Sequence, residues 1–240
     1  MKKLLNVIFV IIVLFACKKE NSDNQTNGKT TPVFNPNVSY GTMTDQDSNV
    51  YKTVTIGTQT WMAENLRTTK YRDGSAIPNI ICNTAWTKLT TGAYCSYNNT
   101  KSADSIAIYG RLYNWYAATD SRNIAPTGWH VPTDAEWITL TTYLGGESVA
   151  GGKMKEAGTT HWLSPNTDAT NECGFTATPG GGRILQPGVF DALGDGGSYW
   201  SSTQYDFDSA QLRSLSNSSA GCGYGYYFKQ LGTAVRLIKD

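Results

Sequence analysis

The stretch Gly128–Gly146, GWHVPTDAEWITLTTYLGG, decides how the chain folds. Thr133 stands three residues before Glu136, the spacing at which a hydroxyl and a carboxylate satisfy the first free amides of a helix. Asp134 and Glu136 put negative charge in the first turn, where the helix dipole favours it. Trp137, Leu140 and Leu144 recur at one helical face, and Gly145-Gly146 ends the pattern. The spacing predicts a helix over Thr133–Leu144 whose apolar face carries the core.

Outward from this helix the patterning changes. Tyr51–Ile56 alternates apolar and polar residues, and Thr60–Leu66 follows after Gly57-Thr58-Gln59, which reads as a β-hairpin. Tyr109–Ala118 puts Tyr109, Leu112, Tyr113 and Tyr116 on one helical face, a core pattern rather than a sugar platform. Ala150–Lys155 begins a second, looser segment ending in His161-Trp162-Leu163. Ala169–Gly182 reads as a Gly/Asn/Thr loop around Phe175. Four strands are expected beyond it, at Ser198–Thr203, Ala210–Ser216, Tyr224–Lys229 and Thr233–Ile238. Short strands following one or two helices indicate an α+β fold.

Of the 240 residues, 40% are hydrophobic, enough for a sizeable core, and only 16% are charged, as in exported β-rich chains. The formal net charge is +1; removing Lys2 and Lys3 from the 20 basic residues leaves 18 against 19 acidic, or −1. No basic face is needed, so nucleic acid is not an expected partner.

Residues 1–16 have the form of a lipoprotein signal peptide: a Lys2-Lys3 start, then an apolar run from Leu4 to Ala16 too short to span a bilayer. The run ends Leu14-Phe15-Ala16-Cys17, a lipobox pattern in which Cys17 takes lipid on its sulfur and becomes the mature N-terminus. Residues 17–40 then form the lipidated cysteine and a polar tether, holding the domain roughly 25–30 Å from the lipid on random-coil scaling. The folded domain is expected over residues 41–240. The localisation this implies is the bacterial cell envelope, anchored to the outer membrane and facing either the periplasm or the surface.

Asp45-Gln46-Asp47-Ser48-Asn49 has the look of a calcium loop, but Val50 stands at position six, where glycine is required, and Ile56 at position twelve, where glutamate is. It is an Asx-rich turn. Two histidines and no CxxC give no zinc site, and no nucleophile elbow, phosphate loop or HExxH occurs. His130 and His161 are expected as hydrogen-bonded structural residues.

The blocks TVTIGTQTWMAENL (Thr53–Leu66), YGRLYNWYAA (Tyr109–Ala118), GWHVPTDAEWITLTTYLGG (Gly128–Gly146), NECGFTATPGG (Asn171–Gly181), YWSST (Tyr199–Thr203) and AVRLIKD (Ala234–Asp240) run in order along the chain. In this the chain resembles the Fibrobacter succinogenes major paralogous domain family, often found in exported bacterial lipoproteins. The segment His130–Trp137 is also similar to the helix start of formylglycine-generating-enzyme-like domains. That likeness implies a C-type-lectin-like fold: short twisted antiparallel sheets, two helices and long irregular Gly-rich loops. Such folds place ligand contacts on the loops, here within Asn171–Tyr199.

With Cys17 lipidated, Cys82, Cys95, Cys173 and Cys222 remain, an even number in an exported chain. Three connectivities are open, of which Cys82–Cys95 with Cys173–Cys222 is the one expected. Asp191, Asp195, Asp206 and Asp208 flank Tyr199-Trp200 and are candidate calcium ligands, with ordinary turn acids as the competing reading. No other cofactor is expected. Tyr199, Trp200, Tyr224, Tyr226 and Tyr227 are the candidate sugar-stacking rings, core packing being the alternative for each.

The expectation is therefore a non-catalytic, lipid-anchored envelope protein presenting a lectin-like module to a glycan or a surface protein. The rivals are an envelope enzyme related to formylglycine-generating oxidases and a structural surface-assembly subunit. The oxidases act through paired cysteines at a copper site, and Cys222 has no cysteine close by in sequence.

Overall fold

The computed structural model describes residues 31–240, so Cys17 and the signal-peptide reading lie outside the described residues. In chain order the elements are β1 (Gly41–Thr44), β2 (Val50–Ile56), β3 (Gln59–Met62), α1 (Asn83–Trp86), β4 (Tyr94–Cys95), α2 (Ala103–Tyr109), β5 (Leu112–Tyr113), α3 (Trp115–Ala118), β6 (Trp129–His130), α4 (Asp134–Tyr143), α5 (Glu147–Met154), β7 (Gly180–Arg183), β8 (Phe190–Leu193), β9 (Gly196–Gln204), β10 (Ser209–Ser216), β11 (Gly223–Phe228) and β12 (Ile238–Lys239). Among these residues one sheet runs β1-β2-β3-β12-β6, a second β11-β10-β9-β7-β8, and β4 pairs with β5. Among the described strands pairing is antiparallel apart from one parallel contact, Gly181 with Gly197, between β7 and β9, and isolated parallel bridges join Asn79 to Tyr94, Lys155 to Ala177 and Tyr199 to Ala234. The fold is α+β.

Helix α4 begins as the sequence dictates. Thr133 Oγ1 accepts from the Glu136 amide, and the Thr133 amide donates back to Glu136 Oε2 at 2.7 Å, closing the capping box. Trp137 and Leu140 are fully buried, and the Trp137 ring sits 4.7 Å from that of Trp61 on β3. Phe175 lies 5.9 Å from both rings. Truncating a tryptophan in such a cluster costs about 3–5 kcal/mol, so this contact fixes the helix to the first sheet.

The aromatic segment Tyr109–Ala118 is not one helix. Gly110 adopts φ 72°, a left-handed conformation that ends α2, and Asn114 caps a new helix by accepting the Ala117 amide. Between the two breaks Leu112 and Tyr113 are extended and pair with Cys95 and Tyr94. The expected burial holds for Tyr109, Leu112 and Tyr113 and only in part for Tyr116, which is half-buried, and helical periodicity is not the reason for it.

The looser segment after α4 is a helix, α5, held close to two loops. A Cβ on Gly151 would lie 2.0 Å from the Gly221 carbonyl oxygen, so only glycine lets the loop pack there. Thr233–Ile238 is less regular than a strand. It threads between all three sheets through single bridges, Thr233 to Tyr113 and Ala234 to Tyr199, before Ile238 joins the first sheet. The packed chain also starts earlier than Gly41. Phe34, Val38 and Tyr40 pack against the cluster around Trp61 and Trp137, and Asn35 donates to the Asn171 carbonyl at 3.0 Å.

Irregular loops leave carbonyls without ladder partners, and here buried cations satisfy them. Arg236 donates to the carbonyls of Met62, Phe175 and Thr176 and to Asn65 Oδ1, all at 2.7–2.9 Å. Arg183 reaches the carbonyls of Gly188, Ile80 and Ile81 and Asn83 Oδ1. Lys155 Nζ donates to the carbonyls of Thr167, Ser216 and Ser219 at 2.8–2.9 Å. Burial pulls the Lys155 ammonium down to about 8 and lowers both guanidinium groups. A planar fork with several donors suits this task better than a neutral side chain.

The expected disulfides are not formed. Cys95, Cys173 and Cys222 are free thiols, so neither Cys82–Cys95 nor Cys173–Cys222 exists. Cys95 is buried in the small cluster with Trp86 and Leu112, whereas Cys222 lies in the large one with Trp137. Even cysteine number counts thiols without placing them, and here three serve as small apolar fillers.

Candidate functional site

The site is best built from the outer edge of the second sheet. Strand β11 pairs with β10 in the register Phe228↔Ser209, Tyr227↔Ala210, Tyr226↔Gln211 and Tyr224↔Arg213, and no described strand pairs with its other side. Successive side chains of a strand alternate between faces. Tyr224, Tyr226 and Phe228 therefore share the face of Arg213, and Tyr227 shares that of Ala210 and Leu212.

These rings are exposed. Tyr224 is 72% accessible, Tyr226, Tyr227 and Phe228 are 52–56%, and on the neighbouring turn Tyr205 is 51% and Phe207 87%. Tyr205 stacks on Tyr226 with centroids 3.9 Å apart and planes 4° from parallel. A stacked pair holds both rings in one plane direction, which makes a flat, preset surface.

Two hollows flank the edge. One, of about 550 Å³, is lined by hydroxyls of Ser148, Ser214, Ser216 and Ser219 with Glu147 and Tyr224 at its margin. The other, of about 270 Å³, is lined by Gly181, Gly182, Gly196 and Gly232 together with Leu212, Tyr227 and Asp191. The glycines let neighbouring backbone close in: a Cβ on Gly181 would lie 2.4 Å from the Asp191 carbonyl oxygen and one on Gly182 3.1 Å from that of Gly232.

The candidate residues separate cleanly. Tyr199 and Trp200 are fully buried: Trp200 donates its indole N–H to the Tyr113 carbonyl at 2.9 Å, and Tyr199 packs on Trp137 and Phe175. Neither can touch a ligand, because both lie on core-facing positions of β9. Tyr224, Tyr226 and Tyr227 are where a ligand could reach them.

The four aspartates do not converge. Among the described residues no group of three or more His, Cys, Asp or Glu side chains is placed to hold a metal. Asp206 Oδ1 accepts the amides of Asp208 and Ser209, and Asp195 accepts from Asn217 Nδ2 at 3.4 Å, both turn roles. Asp191 accepts the amide of Ala192 and alone joins a candidate ring, Tyr227, at one hollow. The sequence reading missed Tyr205, Phe207 and the glycine lining. Two aromatics inside a strand-to-strand turn, Tyr205-Asp206-Phe207-Asp208, were the available signal.

The other titratable groups are taken up structurally. His130 Nδ1 is 2.7 Å from Asp240 Oδ1 and Nε2 is 2.8 Å from Glu136 Oε1. Burial opposes its charge, but the hydrogen bonds to Asp240 and Glu136 outweigh it and raise its pKa. Both ring nitrogens are occupied in tying the C-terminus to the start of α4. His161 Nδ1 faces the Glu156 carboxylate in the interior at 2.8 Å. Burial pushes the Cys95, Cys173 and Cys222 thiols up to about 12, the opposite of a nucleophilic thiolate.

Among curated proteins and among solved structures, none matches the chain. A family model does match, over residues 54–239, which include the second sheet, the first sheet apart from β1 and the start of β2, the α4–α5 pair and the aromatic edge. The chain belongs to the Fibrobacter succinogenes major domain family.

Proposed function

We propose that this chain is a non-catalytic, lipid-anchored envelope protein whose lectin-like module binds a glycan. The observation that carries the proposal is the exposed aromatic edge, where Tyr205, Phe207, Tyr224, Tyr226, Tyr227 and Phe228 meet water together. A sugar ring offers C–H groups on its faces and hydroxyls at its rim. Flat rings meet the first, and nearby carboxylate and serine groups meet the second. A C-type-lectin-like arrangement is supported by the C-terminal strand β12 lying beside β3 of the N-terminal hairpin, by the α4–α5 pair and by irregular loops feeding the second sheet. The lipid anchor rests on the Met1–Cys17 pattern alone.

Against an oxidase or hydrolase stand the raised thiol pKa values and the structural use of both histidines. A glycan array probed with the mature chain tests the reading. Binding to a defined sugar class is the expected result, and a blank array with and without calcium overturns it.

One observation favours a second reading. An open edge strand with apolar rings is a template for pairing with another chain, as a surface-assembly subunit requires. Concentration-dependent self-association that Tyr226→Lys abolishes, on a chain blank to glycans, would select that reading.

A further inference from the structure

Resting on the glycan reading, we propose that the glycine-lined hollow beside Tyr227 is a subsite for one pyranose ring that is neutral or positively charged, and that it disfavours uronic acids and other anionic sugars. The volume, about 270 Å³, admits a single hexose and not a bulky branched unit. Half-exposed Tyr227 and buried Leu212 both line it and share one face of the sheet, so part of its wall is apolar. Asp191 also lines it, and its second carboxylate oxygen is left over after Oδ1 accepts the Ala192 amide at 2.8 Å. A carboxylate accepts from a pair of sugar hydroxyls or from a sugar ammonium.

The charge around the edge has one sign. Asp191, Asp195, Asp206 and Asp208 are all exposed on the strands and turns that frame it. Arg183, between the lining residues Gly182 and Ile184, spends its buried guanidinium on the carbonyls of Gly188, Ile80 and Ile81 and on Asn83 Oδ1, and Lys229 is buried, donates Nζ to the Phe207 carbonyl at 2.7 Å and lies over the Trp115 ring, so neither is a free counter-charge. Arg213 is buried and held by Asp134 and Glu147 on the other face of the sheet. An anionic sugar would thus meet acids without a free partner, whereas an amino sugar would gain one.

The glycan reading concerns the whole edge, and this inference concerns the Tyr227 face alone. The two are separated by calorimetry on the full mature chain with glucose, glucosamine and glucuronic acid oligomers. Three variants are compared: Tyr227→Ala, Asp191→Asn, which keeps the oxygen that Ala192 needs, and Tyr226→Ala on the opposite face. The expected result is that glucose and glucosamine oligomers bind at least tenfold more tightly than glucuronic acid oligomers at low salt. Tyr227→Ala then weakens binding at least tenfold, and Asp191→Asn removes most of the preference for glucosamine. Raising the salt concentration narrows the charge discrimination. Equal binding of glucuronic acid oligomers overturns the inference. So does sugar binding that Tyr226→Ala abolishes while Tyr227→Ala and Asp191→Asn leave it unchanged, an outcome that keeps the glycan reading. Absence of binding by every oligomer overturns both.

Discussion

Replacing Arg236 by methionine tests the physical idea on which the irregular half of this fold depends. The guanidinium is fully buried and donates to four acceptors, the carbonyls of Met62, Phe175 and Thr176 and the side chain of Asn65. These belong to β3, to the segment after it and to the Phe175 loop, so one side chain ties three pieces of chain together. A buried acceptor left without a donor costs about 1–3 kcal/mol, giving a gross loss of about 4–12 kcal/mol for four. Two effects offset it. Methionine keeps the packing of the aliphatic stem, and a charge with no carboxylate among its hydrogen-bond partners no longer has to be desolvated, which returns several kcal/mol. The net cost is therefore about 3–5 kcal/mol, comparable with breaking a buried ion pair. For a domain of this size that corresponds to a fall in melting temperature of roughly 6–20 °C. Urea unfolding followed by tryptophan fluorescence reads it directly, because Trp61 and Trp137 lie in the same cluster as Phe175. Arg236→Lys keeps the charge but cannot span four acceptors, so it falls between the two. A loss below about 1 kcal/mol for Arg236→Met would refute the reasoning, since the carbonyls would then have found other partners.

Further outcomes follow from single contacts. Gly151→Ala normally stabilises a helix interior by about 1 kcal/mol, but here the new Cβ meets the Gly221 backbone, so the melting temperature falls and the net loss is about 1–3 kcal/mol. The His130–Glu136 link has a defined pH window. Burial opposes ionisation of Glu136, yet hydrogen bonds from Thr133 and His130 hold its pKa below 4.5, so its contribution is present above pH 4.5 and is lost as pH falls through the lowered value. His130, with a raised pKa, contributes fully below pH 6.5 and loses that contribution as pH rises through the folded value. The link is at full strength between pH 4.5 and 6.5, and NMR titration of His130 in Glu136→Gln should show its pKa moving back down. Peptide mapping without reductant should find neither Cys82–Cys95 nor Cys173–Cys222, and Cys95 and Cys222 should resist alkylation until the chain is unfolded.

How much of this was readable in advance differs by region. Helix α4 and the β2–β3 hairpin were legible because their signals are local: a capping box, one apolar face and a Gly-containing turn. The strands β9, β10 and β11 were found within a residue or two for the same reason. Tyr109–Ala118 was misread because two breaks, Gly110 and Asn114, fall inside a pattern whose spacing fits a helix by coincidence. The buried cations gave no sequence signal, since their partners are carbonyls far away in the chain. At the site, Tyr224, Tyr226 and Tyr227 were named while Tyr199 and Trp200 proved buried. All five sit in strands, and only the sheet order says that β11 is an edge and β9 is interior. The four aspartates looked like one cluster because they are near in sequence, yet Asp206 and Asp208 share one turn, Asp195 bonds Asn217 at another, and only Asp191 lines the Tyr227 hollow.

The aromatic edge is the proposed ligand surface. A crystal structure of the mature chain grown with a neutral oligosaccharide taken from the array tests it most directly. The prediction is sugar density over the β11 rings: a pyranose face against Tyr227 with a hydroxyl within hydrogen-bond distance of Asp191, or a pyranose face against the Tyr205–Tyr226 pair on the opposite face. Density on another face of the molecule, with β11 bare or paired to a second chain, would contradict it.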